Sequence, residues 1–134
     1  IRDSYSFEGR RILLAEDNDL NAEIAMTILA GAGMEVDRAA DGIQCIDMLE
    51  KAEPGYYDLI LMDIQMPNMD GYKATMLIRK LDDKRLADIP IIAMTANAFN
   101  EDRKKAFEAG MNGHISKPIS AADLKMTLAG MMGE

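Results

Sequence analysis

An alternation limits what this chain can fold into more than any other feature. Short, nearly uninterrupted apolar runs take turns with longer stretches of helical periodicity. The runs are Ile12–Ala15, Tyr57–Met62 (broken only by Asp58) and Ile89–Met94, joined by the weaker Glu35–Ala39 and the short His114–Ser116. A strand with one wet face alternates apolar and polar residues, whereas a strand apolar on both sides must be covered on both faces. Five such runs separated by helical segments therefore predict an α/β fold, a parallel sheet with helices packed on each side. The intervening segments place apolar residues three or four apart: Leu20, Ile24 and Ile28, then Ile43, Ile46 and Leu49, then Ala74, Ile78 and Leu81. A charged helix is expected over Phe99–Ala109. A last one follows Ser120, with Asp123 at the capping-box position and Leu124, Leu128 and Met131 inside. Gly31 and Gly33, Pro54-Gly55 and Gly110 supply the stops.

A chain of 134 residues fits one domain that buries about two-thirds of its unfolded surface. Residues 1–9 lack periodicity and read as a linker or N-terminal extension, leaving 10–134 as the domain; with no initiator Met, excision from a longer chain is expected. No uncharged stretch approaches the ~20 residues of a membrane span, and no signal-peptide pattern opens the chain. Cys45 is the only cysteine, which excludes an internal disulfide and a cysteine-based zinc site. His114 is the only histidine, and no serine or acid is placed to build a Ser-His-Asp triad around it. The net charge of −8 argues against nucleic acid as a main partner. A cytoplasmic, reducing environment is the expectation.

In open parallel sheets, ligands bind outside the carboxyl ends of the strands, where the strand order reverses. Here those ends carry Glu16-Asp17-Asn18, Asp63, Thr95 and Ser116-Lys117-Pro118. Each has an ordinary reading alone: Asp and Asn cap helices, a threonine ends a strand, a lysine is solvated. Together they bring three carboxylates, a hydroxyl and an ammonium to one pocket. Neighbouring carboxylates raise one another's pKa unless a cation joins them. An all-oxygen donor set suits Mg²⁺ better than zinc. An aspartate in such a pocket can form an acyl phosphate. Phosphoryl transfer needs mainly positioning and charge neutralisation, which Mg²⁺, Lys117 and Thr95 can divide among the phosphoryl oxygens.

The segments Ile12–Asn18, Leu61–Gly71, Ile91–Ala96 and Ser116–Pro118 resemble the receiver domains of two-component response regulators, most like those attached to hybrid sensor histidine kinases. The resemblance spans Arg11 to Met131. It implies a flavodoxin-like (βα)5 fold, a doubly wound five-stranded parallel sheet of order 2-1-3-4-5. It implies that Asp63 accepts phosphate from a phosphohistidine, as a signalling domain that catalyses its own phosphorylation and dephosphorylation rather than as a metabolic enzyme. Asp17, Asp63 and the backbone carbonyl of Gln65 would ligate Mg²⁺, with Glu16 acting through water. Thr95 and Lys117 would grip the phosphoryl group, and the Lys117–Pro118 bond would be cis. His114 stands where Tyr or Phe is common and would turn inward on switching. Gln65 and Asn97 would tune water access to the acyl phosphate. The implied partners are the dimerisation and phosphotransfer helices of a histidine kinase, or a histidine phosphotransfer protein. No direct contact with nucleic acid or membrane is implied, and the setting is cytoplasmic, alone or within a membrane-anchored hybrid kinase.

Met26 falls off the Leu20-Ile24-Ile28 face beside Ala22. With Pro118 and Ile119 it could form an adaptable apolar docking patch, the alternative being simple packing. The Phe99–Ala109 helix has few large apolar residues besides Phe99 and Phe107, so a weakly held, easily shifted helix is expected. Two rival functions are weaker. A phosphate-independent docking module would be marked by loss of Asp17, Asp63 or Lys117, and all three are present. An aspartyl-phosphate hydrolase would carry a second acid two residues after its nucleophile, where this chain has Gln65.

Overall fold

The computed structural model describes residues 9–96, 100–117 and 119–131, apart from the side chains at 100–102, 128 and 131. The expectations for residues 1–8, Asn97, Phe99 and Pro118, and for the side chains of Leu128 and Met131, lie outside the described residues. Strands and helices alternate as β1 (Arg11–Ala15), α1 (Asp19–Gly31), β2 (Glu35–Ala39), α2 (Gly42–Lys51), β3 (Leu59–Asp63) and α3 (Gly71–Arg79), continuing as α4 (Lys84–Ala87), β4 (Ile91–Thr95), α5 (Asn100–Ala109), β5 (Gly113–Ser116) and α6 (Ala121–Met131). The strands form one parallel sheet of order β2-β1-β3-β4-β5. This is the flavodoxin-like, doubly wound arrangement. The chain leaves β1 toward β2 on one side and returns to β3 on the other, and this reversal opens a crevice at the carboxyl ends of β1 and β3.

Period-two alternation divides the core into two layers. Leu13, Ile60, Met62, Ile91 and Ala93 pack with Cys45, Leu49, Ala74, Ile78 and Ala106 of α2, α3 and α5. Ile12, Leu14, Leu59, Leu61, Ile92 and Met94 pack with Ala22, Ala25 and Leu29 of α1 and Leu124 of α6. Every residue of β3 and β4 is buried, which accounts for their uninterrupted apolar runs.

The helical faces differ from expectation in an informative way. In α1 the face on the sheet is Ala22, Ala25 and Leu29, whereas Leu20 is 65% and Ile24 45% exposed. In α2 the buried set is Gly42, Cys45 and Leu49, and Ile43 is turned to solvent. In α3 the expected Ala74 and Ile78 are buried, with Gly71 ahead of them and Leu81 packed at the edge. Each face runs i, i+3, i+7 and begins with a small residue, because these helices start hard against the carboxyl ends of the strands. A Cβ on Gly42 would sit 2.7 Å from the Met69 carbonyl oxygen, so nothing larger fits there. In α5 the contacts come from Ala106 and Ala109, and Phe107 is 79% exposed, so Phe107 anchors nothing on the sheet. The single-turn α4 was not anticipated; Asp83 caps it by accepting a hydrogen bond from the Arg85 amide.

Candidate functional site

β1 and β3 are neighbours, so the residues that follow their apolar runs arrive side by side. Glu16 continues the ladder by donating its amide to the Ala39 carbonyl at 3.0 Å. Asn18 then caps α1 by accepting from the Asn21 amide at 2.9 Å, while its own amide donates to Glu16 Oε2 at 3.2 Å. That turn leaves Glu16 buried and Asp17 exposed. Asp63 ends β3 opposite Met94 and is 4% exposed. Carboxylate oxygens of Glu16, Asp17 and Asp63 lie within 4.8 Å of one another. Lys117 reaches in from the end of β5, its Nζ 3.0 Å from Glu16 Oε1 and 3.1 Å from Asp63 Oδ1. Thr95 ends β4 and is buried, and its carbonyl accepts the Lys117 amide at 2.8 Å. These five residues and Gln65 line one polar cavity of about 260 Å³. The structure thus brings Glu16, Asp17, Asn18, Asp63, Thr95 and Lys117 to one cavity; Ser116 does not line it.

The loop after Asp63 is held by contacts the sequence did not announce. Gln65 donates its amide to Asp63 Oδ1 at 3.3 Å, and the Gly71 amide closes the loop onto the Ile64 carbonyl at 2.8 Å. A Cβ on Gly71 would run into the backbone carbonyl of Asp63, so only glycine lets α3 begin there. Asn68 adopts a left-handed conformation (φ 67°) and donates from Nδ2 to Asp41 Oδ2 at 2.8 Å. Asp41 also caps α2, and the amide of Gln44 followed by Asn68 holds its carboxyl below the usual range. The signal for this latch was the pair Asp41-Gly42 and Asn68, which reads locally as two unrelated turns.

Burial, reinforced by the Glu16 carboxylate, pushes Asp63 up to about 7, against the opposite pull of Lys117. Burial alone would lower Lys117, but its contacts with Glu16 and Asp63 outweigh that and hold it above its ordinary value. One ammonium thus faces three carboxylates. Among the described residues Asp17 makes no hydrogen bond or ion pair. A hard divalent cation fits this set: oxygen donors only, an excess of negative charge, and one donor with no protein partner.

The proposed docking residues are split. Ala22 is buried, and it lines with Met26 a groove beside Met34, Val36 and Arg38, on the β2 side of α1. Ile119 lies with Ile24, Asn21 and Lys117 around a small cleft on the other side. The structure therefore does not bring Met26 and Ala22 to Ile119; the exposed apolar residue that shares a cleft with Glu16 and Lys117 is Ile24. His114 is half-buried in β5 opposite Ala93, and burial, followed by the charge of Arg103, lowers its pKa.

The chain matches the response regulator receiver domain family over residues 12–129. It is 40% identical over 116 residues to hybrid signal transduction histidine kinase L of Dictyostelium discoideum, covering 86% of this chain but only 7% of that protein. The receiver domain of a sensor histidine kinase from Pseudomonas aeruginosa PAO1, whose structure has a magnesium ion coordinated in the active site cleft, is 41% identical. It superposes with a TM-score of 0.83 over 94% of this chain and 99% of that one. A receiver domain from Saccharomyces cerevisiae, co-crystallised with a histidine phosphotransfer signalling protein, is 26% identical with a TM-score of 0.82, covering 92% of this chain and 90% of that one. The chain belongs to the response regulator receiver family, a class of signalling modules, and it carries an acidic pocket built from Glu16, Asp17 and Asp63. No helix among the described residues is long and apolar enough to cross a membrane.

Proposed function

We propose that this receiver domain takes a phosphoryl group from a phosphohistidine onto Asp63 and changes conformation as a result. The observation that carries this reading is the convergence of Asp63, Lys117 and two further carboxylates at one strand end. An Asp63 carboxylate oxygen forms a bond to phosphorus while the imidazole nitrogen–phosphorus bond breaks, leaving the acyl phosphate and a histidine free to take up a proton. Mg²⁺ bound by Asp17, Asp63 and the Gln65 carbonyl, with Glu16 through water, would neutralise the carboxylates and a phosphoryl oxygen. Lys117, already 3.1 Å from Asp63 Oδ1, turns from that oxygen to a phosphoryl oxygen. The Thr95 hydroxyl, at the end of the neighbouring strand, meets another. Charged hydrogen bonds of this kind contribute roughly 1.5–3 kcal/mol each, enough to favour a new position for the loops that carry the donors. Ile24 and Ile119, exposed or half-buried in the cleft they share with Glu16 and Lys117, offer the apolar contact for a histidine-bearing helix of a kinase or phosphotransfer protein.

Incubation with a small acyl phosphate and Mg²⁺, followed by intact mass measurement, tests the reading. A gain of one phosphoryl group that requires the divalent ion is expected. Undiminished labelling in excess chelator would remove the metal from the mechanism, and no labelling under any condition would remove the function.

A further inference from the structure

Asp17 is the exposed member of the acidic cluster and has no side-chain partner among the described residues, so the backbone of the β1–α1 turn sets where its carboxylate points. Arg38 braces that turn. It stands two residues after Val36, on the α1 side of the edge strand β2, and its side chain is three-quarters buried. Its Nε and Nη2 both donate to the Glu16 backbone carbonyl, at 3.0 and 2.8 Å. Its Nη1 donates to Asp19 Oδ1 at 2.8 Å. One rigid planar fork thus ties the residue before Asp17 to the first residue of α1, spanning Asp17 and the cap residue Asn18. We propose that Arg38 is a positioning residue for the metal site, holding Asp17 ready for the divalent ion through the turn it clamps. The inference rests on the proposed Mg²⁺ site.

Two physical effects of removing Arg38 have opposite signs, which makes the idea testable. Arg38 is a cation near a cation site, so by electrostatics alone its loss tightens Mg²⁺ binding. By positioning, its loss frees the turn and weakens binding, and outer groups that orient ligands typically account for tenfold or more in affinity. Mg²⁺ affinity should be measured by calorimetry on the whole chain and on Arg38→Ala, Arg38→Lys and Asp19→Asn, each checked for a cooperative melt. Weakening on the order of tenfold is expected for Arg38→Ala. A smaller loss is expected for Arg38→Lys, because an ammonium cannot donate two parallel bonds and also reach Asp19. Asp19→Asn, at an exposed position, should lose about twofold, since it weakens the third anchor and also removes a negative charge near the site. The Mg²⁺ concentration for half-maximal phosphorylation should rise in step, while the maximal rate at saturating Mg²⁺ stays close to that of the unsubstituted chain. Unchanged or tighter Mg²⁺ binding by folded Arg38→Ala would overturn the proposal. Should that variant fail to melt cooperatively, the same result in Arg38→Lys and Asp19→Asn would overturn it. Failure of the unsubstituted chain to bind Mg²⁺ would overturn the metal site itself.

Discussion

The two ends of the sheet solve opposite problems with the same kind of residue. At the carboxyl end, Lys117 sits among three carboxylates and satisfies two of them. At the amino end, Arg79 sits among neutral acceptors. Its guanidinium donates to the carbonyls of Gly110, Ala87 and Ile89 and to Asn112 Oδ1, at 2.6–2.9 Å. Asn112 Oδ1 also accepts the amide of Ile91, so one knot joins α3, the end of α4, the start of β4 and the turn into β5. Gly110, at φ 107°, leaves room for it; a Cβ there would lie 2.9 Å from Arg79 Cγ. One end pairs its cation with four neutral acceptors and stabilises the fold. The other crowds three carboxylates around one ammonium, an excess of negative charge held at the expense of stability.

Substitution at Asp63 should expose this contrast most strongly. Asp63→Asn is expected to abolish phosphoryl gain, because an amide cannot form an acyl phosphate, and yet to melt at a higher temperature. In the folded chain Asp63 titrates near 7, above its ordinary 3.8, so the fold binds a proton that the unfolded chain has already released. Stability therefore falls as pH rises from about 4 to about 7. The asparagine variant lacks that slope and should melt roughly 5 °C higher at pH 8 without added Mg²⁺. A midpoint at pH 8 equal to or below that of the unsubstituted chain would show that the pocket is not under electrostatic strain.

At the opposite end, Arg79→Ala should deprive the part-buried carbonyls of Ala87, Ile89 and Gly110 of their guanidinium donor. A loss of roughly 3 kcal/mol or more is expected, seen as a melting point lower by about 10 °C. Mg²⁺ affinity of the folded fraction should not change, because the knot touches no residue of the acidic pocket. A parallel loss of metal binding would mean that the two ends are coupled.

Lys117→Ala separates the metal from the phosphoryl group at the carboxyl end. Removing the ammonium also removes a cation that competes with Mg²⁺ for Glu16 and Asp63. Mg²⁺ binding should hold or tighten, while the amide shifts that follow beryllofluoride binding should shrink near Thr95 and α5. Weaker Mg²⁺ binding with normal switching would reverse the assignment.

Much of this was legible in the residues, for a physical reason. Strands buried on both faces must be apolar throughout, so the sheet was visible as runs, and the polar residues ending those runs could only gather at the carboxyl end. Helical faces were harder to read. Leu20 and Ile24 recur at helical spacing, yet they face solvent, because the cap at Asn18 sets a phase in which Ala22 and Ala25 meet the sheet. Reading by bulk favours leucine and isoleucine, whereas close approach of a helix start to the strand ends favours alanine and glycine. Gly42 and Gly71 repeat the lesson in α2 and α3. The same reading by bulk set Met26 apart from the buried face, whereas it packs at the edge of the α1–sheet layer. The Asp41–Asn68 latch and the Arg38 clamp went unread because their partners are 27 and 22 residues apart and no local pattern links them.

The smallest expected effect belongs to His114, midway between the two ends in character. It lies on the face of β5 away from Ile115, whose side chain enters the α1–α6 layer, and Arg103 of α5 is its charged neighbour. Burial and then Arg103 lower its pKa from 6.5, so the neutral imidazole is favoured in the fold. Below pH 6.5 the unfolded chain takes up a proton that the folded chain resists, and stability falls until the pH passes the lowered folded value. If Thr95 moves toward a phosphoryl group on Asp63, space opens beside β5, and the ring turns inward and loses more solvation. Its pKa should then fall further, so that acid opposes the switched state. As the only histidine, His114 has ring resonances that can be followed without ambiguity. Titration with and without beryllofluoride should give a lower midpoint in its presence, and His114→Ala should abolish the acid sensitivity of switching. Equal chemical shifts and equal midpoints in the two states would separate His114 from the switch.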